Sequence, residues 1–137
     1  MVRCSPVTIA GPLKWSQDAS IGLKDTFFGF EQMIVDGVNS GRMQLWRIND
    51  DSWLVTEIFR NPDFLMVWCY QGSGLVNLMM HLNNVALSNN LPELRFFTRL
   101  RAAVRALRFM RPVVEPGNWE GEIFFKIEAK RYECERT

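Results

Sequence analysis

The sequence holds a single histidine, His81, and three cysteines, Cys4, Cys69 and Cys134, with no Cys-x-x-Cys pair among them. A zinc or iron site assembled from such side chains needs several of them at short spacing, so no metal centre is expected. The odd, scattered cysteines do not make a disulfide framework and are read as reduced thiols. No apolar run reaches the roughly 18 residues of a spanning helix, and the N-terminus lacks the basic-then-apolar pattern of a secretory signal. The expected location is cytoplasmic, without membrane contact. Charge of one sign is missing too: sixteen Lys and Arg face fifteen Asp and Glu, for a formal net charge of +1. A molecule so balanced has no long-range field to draw it to nucleic acid, so any polyanion contact has to be local.

What remains is ordinary globular material: 137 residues, 47% hydrophobic and 23% charged. That length fits a single domain, 1–137, with the charged segment 130–137 expected as a flexible tail. Ser5 to Gly11 reads as a short first strand. Trp15 to Ser40 reads as helical, with Phe27, Phe30, Ile34 and Val38 on one face and Asn39-Ser40-Gly41 as the stop. Gly22, Gly29 and Gly37 weaken it, which predicts two short helices and a bend. From Met43 to Arg60 the period becomes two, an antiparallel hairpin turning at Asn49-Asp50-Asp51. Phe64 to Tyr70 is apolar without alternation, as in a strand covered on both faces at the centre of a sheet. Gln71-Gly72-Ser73-Gly74 then leads into a helical stripe, Leu75, Leu78, Met79, Leu82, Val85 and Ala86, ending at Asn89-Asn90. Glu93 to Phe97 resembles a strand. Thr98 is placed as the N-cap of a further helix with Leu100, Ala103, Val104, Leu107 and Met110 on one face, closed by Pro112. Val113-Val114 starts an extended segment, Glu115-Pro116-Gly117-Asn118 turns, and Ile123, Phe125 and Ile127 alternate in a last strand.

This order of elements resembles the GNAT-like (Gcn5-related N-acetyltransferase) superfamily over nearly the whole chain. The local anchor is Gln71-Gly72-Ser73-Gly74-Leu75-Val76, which is similar to that family's pyrophosphate loop between its fourth strand and third helix. The resemblance implies an α/β (α+β) fold, a mixed sheet of about six or seven strands with about four helices. It also implies an acyl-CoA-dependent N-acyltransferase, with acetyl-CoA or CoA as the bound thioester and an amine as acceptor. Gln71, Gly72, Ser73, Gly74, Leu75 and Val76 are then the cofactor-binding residues. Two departures stand out. Val76 occupies a position where the family has Gly or Ala, and shifting the register so that Gly72 and Gly74 fill the small positions puts Cys69 where Gln or Arg belongs. The fourth-helix segment Thr98 to Arg111 contains no Tyr to protonate a departing thiolate. The competing expectation is a catalytically silent GNAT-fold binding or structural protein, acting through a protein partner or as a homo-oligomer. Small proteins of this kind occur among tailed-phage products, which would place it in the virion or the host cytoplasm.

Amide formation from a thioester needs a neutral amine, a polarised carbonyl and a proton for the leaving sulfur. Glu57 in the hairpin is the candidate base, with an exposed strand carboxylate of no catalytic role as the alternative. Tyr70, at the end of the central strand, is the candidate for orienting substrate; a ring packed in the core with its hydroxyl at the edge is the competing reading. Cys69 adjoins no cation in sequence and reads as inert. His81 lies beside the apolar stripe and reads as partly buried. Arg101, Arg105 and Arg108 share a helix face with Arg99 and Arg111 near its ends, either a solvated row or a local anion contact. Trp119 sits in a turn where exposure would suit a partner.

Overall fold

The structure, a computed structural model, describes residues 2–4, 7–27, 29–99, 101–117, 121–132 and 134–136. Leu100 and Trp119 lie outside the described residues, as do the side chains of Cys4 and Cys134. In chain order the elements are β1 (Val2–Cys4), β2 (Ile9–Leu13), α1 (Gln17–Leu23), α2 (Glu31–Asn39), β3 (Gln44–Ile48), β4 (Ser52–Phe59), β5 (Phe64–Gln71), α3 (Leu75–Ser88), β6 (Glu93–Thr98), α4 (Arg101–Ala106), β7 (Val113–Pro116), β8 (Ile123–Glu128) and β9 (Cys134–Arg136), with single 3-10 turns at Lys24–Thr26 and Arg108–Met110. Seven strands form one mixed sheet in the order β2-β3-β4-β5-β6-β8-β7. This is the expected architecture, with the apolar strand β5 fourth of the seven and its residues Phe64, Leu65, Met66 and Val67 all buried. β1 and β9 make a separate parallel pair, where the sequence suggested a loose tail.

The chain forms two compact units. One comprises Val7–Ile58 and Val67–Ser73. Its core gathers Ala19, Leu23, Phe27, Ile34, Val38, Met43, Leu45, Val55 and Cys69. The hairpin pairs Leu45 with Val55 and Ile48 with Ser52 around the anticipated turn. The strand expected at Ser5–Gly11 is β2, which runs Ile9–Leu13 with Ile9 paired to Ile48 and a bulge after Ala10; Ser5 and Pro6 lie outside the described residues. The helical stretch does break in two, at the 3-10 turn and at Gly29, whose φ is 89°. The other two glycines there serve packing. A Cβ on Gly22 would lie 2.3 Å from the Trp53 ring and one on Gly37 2.6 Å from the Met43 sulfur. Residues that cost helix propensity are the ones at which α1 and α2 touch the hairpin closely.

The second unit comprises Met1–Pro6, Phe59–Met66 and Gly74–Thr137. β6 and β8 pair with Leu94 opposite Ile127 and Phe96 opposite Phe125, all four buried. Thr98 is the last residue of β6, paired with Ile123, and not a helix cap. The expected fourth helix is shorter than its apolar stripe: α4 stops at Ala106, a 3-10 turn follows, and Arg111 takes a left-handed φ of 52° before Pro112. Proline lacks the amide and sterically bars helical continuation. Pro116 belongs to β7 rather than to the turn after it, on the sheet edge where a strand tolerates a missing N–H.

Asn83, on α3 and fully buried, fastens the segment after β8. Its amide nitrogen donates to the Lys130 carbonyl at 2.6 Å and its oxygen accepts from the Lys130 N–H at 3.1 Å. Asn83→Ala leaves both backbone groups without their partner and should cost about 1–3 kcal/mol in urea unfolding. Unchanged stability would show that water replaces the asparagine.

Candidate functional site

β5 turns into α3 within three residues, and two glycines make that possible in different ways. Gly72 has a φ of 152°, and a Cβ there would fall 1.9 Å from the Ser52 hydroxyl oxygen. Its smallness therefore serves the packing of Ser52 on β4. Gly74 is the N-cap of α3 in the left-handed conformation, φ 75° and ψ 34°, and a Cβ on it would meet nothing within 4 Å. The first intrahelical bond runs from the Leu78 N–H to the Gly74 carbonyl at 3.0 Å, and no side chain caps the helix. Among the described residues no acceptor engages the amides of Ser73, Gly74, Leu75 or Val76. Four amides at the positive end of a 14-residue helix, beside open space, are suited to an anion. Val76 is half-buried. The Gln71 side-chain oxygen is buried without a hydrogen-bond partner, an acceptor left unsatisfied.

Tyr70 is half-buried, and its hydroxyl donates to the Ser73 carbonyl, tying the end of β5 to the turn. Burial raises its pKa above the ordinary 10.0, with the Ser52 hydrogen bond lowering it and the nearby Asp51 charge raising it. At neutral pH it is a phenol, a donor and not a base.

Glu57 is not the exposed carboxylate of the bland reading. It is 6% exposed, in a stretch where Leu54, Val55 and Thr56 are also buried, and its Oε1 accepts a 2.9 Å hydrogen bond from the Trp68 indole. β4 is covered on both faces, so strict alternation gave the wrong exposure for this residue. Oε2 has no hydrogen bond among the described residues. Trp68 lies at Glu57 and Gly72 lies at Ser52, so the loop glycine and the carboxylate are separated by four positions on β5 and five on β4, roughly 13–16 Å. Tyr70, Ser52, Gly72 and Ser73 are brought together; Glu57 stands apart from them, with Trp68.

Cys69 is buried in the core and its thiol is pushed up to about 11 by that burial, against a lowering hydrogen bond from Thr26. It is a packing residue. His81 is half-buried on α3, and desolvation lowers its pKa below 6.5. No group of three or more His, Cys, Asp or Glu side chains suited to a metal ion occurs among the described residues. Ser52 had no sequence signal of its own. It follows the hairpin turn like any polar residue, and its contact with Gly72 twenty positions on becomes visible only in the fold.

No protein-family model matches this chain, and no curated protein does. Among solved structures it is similar to a mutant of the AtaT toxin bound to the C-terminus of the antitoxin AtaR and acetyl-CoA, with 11% identity over 89% of this chain and 94% of that one and a TM-score of 0.48.

Two outcomes follow from this geometry. Gly72→Ala combines a disfavoured φ with a clash against Ser52 and should cost about 2–4 kcal/mol, of which Ser52→Gly restores only the steric part. Full rescue in the double variant would show that φ carries no strain. His81 is the chain's one histidine, and its folded pKa lies below the unfolded value. The unfolded chain therefore binds the proton first as pH falls through 6.5, and stability contributed by neutral His81 declines from there downward. Denaturant midpoints between about pH 7 and pH 5 should fall in the wild type and fall less in His81→Gln.

Proposed function

We propose that the chain is an acyl-CoA-dependent N-acyltransferase that holds the diphosphate of a CoA thioester on the amides of Ser73, Gly74, Leu75 and Val76. The observation that carries this reading is the start of α3: a left-handed glycine with open space around it, a helix without a side-chain cap, and amides with no acceptor. Backbone donors of this kind bind phosphate without any side-chain motif, which is why Val76 at the last motif position does not defeat the site.

In this reading the β4–β5 strand pair spaces the chemistry. The roughly 13–16 Å from Gly72 to Glu57 is of the order of an extended pantetheine arm, which would put a thioester near the carboxylate when the diphosphate is at the loop. Glu57 keeps Oε1 on the Trp68 indole and uses Oε2, through water, to take a proton from the acceptor ammonium. The neutral amine adds to the thioester carbonyl, the carbon–sulfur bond breaks, and the thiolate takes up a proton as the amide forms. Tyr70 holds the turn in place through Ser73 and contributes no base. With no tyrosine in Thr98 to Arg111, solvent supplies the thiolate's proton.

A second reading keeps the scaffold and drops the reaction. It is favoured by the same Glu57, whose burial and hydrogen bond to Trp68 also describe a structural carboxylate. A protein partner, a homo-oligomer or a virion role belongs to this reading.

The two are separated by ligand-linked stability. CoA at about a hundred times its Kd stabilises the folded state by about 2.7 kcal/mol, which for a chain of this length lifts Tm by roughly 9 °C. Ser73→Asp places a carboxylate at the helix N-terminus, where it suits the helix dipole and repels a diphosphate. It should leave the unliganded Tm unchanged or slightly higher and abolish the CoA shift. No shift for the wild type at millimolar CoA sinks the proposal; a shift without acetylation of any tested amine leaves the second reading.

A further inference from the structure

The end of α4, the 3-10 turn after it and β7 enclose a shallow depression of about 340 Å³ lined by Val104, Arg105, Arg108, Arg111, Pro112 and Val114. Its three arginines recur at steps of three residues, and Arg111 is presented by the left-handed backbone that ends the 3-10 turn. None of the three side chains has an ion pair or hydrogen bond to a described residue. Beside them Val113 and Val114 are 59% and 51% exposed. Both belong to β7, the edge strand of the sheet, all of whose residues are exposed. Cations without an ion-pair partner among the described residues, an exposed β-branched side chain in the lining and an open strand edge are each common on protein surfaces. Their coincidence marks a surface built to be covered.

We infer that this depression receives an extended acidic segment of a partner protein, laid along β7 with its carboxylates on Arg105, Arg108 and Arg111 and an aliphatic side chain over Val104 and Val114. Strand addition supplies the backbone pairing, and the arginine fork suits carboxylates in bidentate contact. The dimensions agree. The three arginines extend over roughly 10 Å, and side chains at alternate positions of a strand share a face roughly 7 Å apart, so two carboxylates at alternate positions reach all three cations and an aliphatic residue at the next alternate position lies over Val104 and Val114.

Two other occupants fit less well. A nucleic-acid strand finds no aromatic ring in the lining on which to stack a base, whereas Val104 and Val114 offer an aliphatic contact that a peptide side chain can use. A second copy of this chain, docked about a two-fold axis through the patch, brings one arginine row against the other.

The test uses the full chain and a fluorescein-labelled peptide of repeating Glu-Ser-Glu-Ser-Val-Ser, which puts Glu and Val on one face of a strand, followed by anisotropy. Binding should weaken by about tenfold or more in Arg105→Glu/Arg108→Glu, and comparably in Val114→Asp or when salt is raised from about 50 to 500 mM. Hydrogen exchange at the β7 amides should slow when the peptide is added. All the altered side chains are exposed or half-buried, and Tm of each variant reports whether it folds. Equal binding by the wild type and both variants overturns the inference, as does no binding at millimolar peptide. Tighter binding of an oligothymidylate of equal length gives the surface to nucleic acid instead. Sedimentation as a dimer that Val114→Asp dissolves gives it to a second copy.

Discussion

A strand that ends and a helix that begins within three residues need backbone conformations that side chains disfavour, and the β5-to-α3 turn meets that demand with Gly72 and Gly74. The two glycines are not equivalent. Gly72 is fixed by what lies against it, since the Ser52 hydroxyl fills the space a Cβ would take. Gly74 is fixed by its own dihedral angles and has open space where a side chain would stand. Closing the first position is what aligns the end of β5 with the start of β4. Leaving the second open is what exposes the helix amides. Tyr70 completes the turn by donating to the Ser73 carbonyl, so that carbonyl is occupied while the amides that follow are free. The Ser73 and Gly74 carbonyls are occupied while the amides from Ser73 to Val76 have no acceptor among the described residues, and that is the property an anion at this place would read.

Glu57 poses a separate problem of electrostatics. Glu57 is 6% exposed and holds Oε1 on one neutral indole N–H, while Oε2 is not among the buried side-chain atoms left without a partner. Arg47 on β3 stacks its guanidinium 4.3 Å from the centre of the Trp53 ring, and its terminal nitrogen donates to the Asp50 carbonyl. One neutral donor on a mostly buried carboxylate suits a structural role and the proposed base alike, so stability of the Glu57 variants and their activity are separate questions.

Much of the architecture could be read from the chain because its periodicities are clean. The apolar run of β5, the hairpin about Asn49-Asp50-Asp51 and the α3 stripe each obey one rule without competition. The misreadings share a cause, which is that partners distant in sequence decided the outcome. Thr98 has the chemistry of a cap but is held in β6 by Ile123. Glu57 looked exposed because a hairpin strand was assumed to have a wet face, and β4 has none along Leu54 to Glu57. For the loop, the glycines were visible in the sequence while their division of labour was not, since Ser52 carries no local signal. The arginine row was visible as a row. Its meeting with Val114 required the turn at Arg111 and Pro112 that folds β7 back beside α4.

Charge balance explains why anion-attracting features on this protein must be small and sharply placed. With a net charge of +1, the potential at a distance is weak, and at physiological salt an exposed charge is screened beyond about 8 Å. An anion is therefore recognised only on arrival, by groups already in position and not compensated by their neighbours. Backbone amides at a helix start meet that condition because their geometry is fixed by the helix itself. Arginines meet it only if no carboxylate on the same surface claims them, and Arg105, Arg108 and Arg111 have none among the described residues. Elsewhere on the chain the pattern is different: Arg95 is paired with Glu93 and stacked on Phe64, and Arg60 is paired with Asp63. Where carboxylates of this fold stand close to arginines they pair with them, so an arginine without such a partner stays open to an external anion.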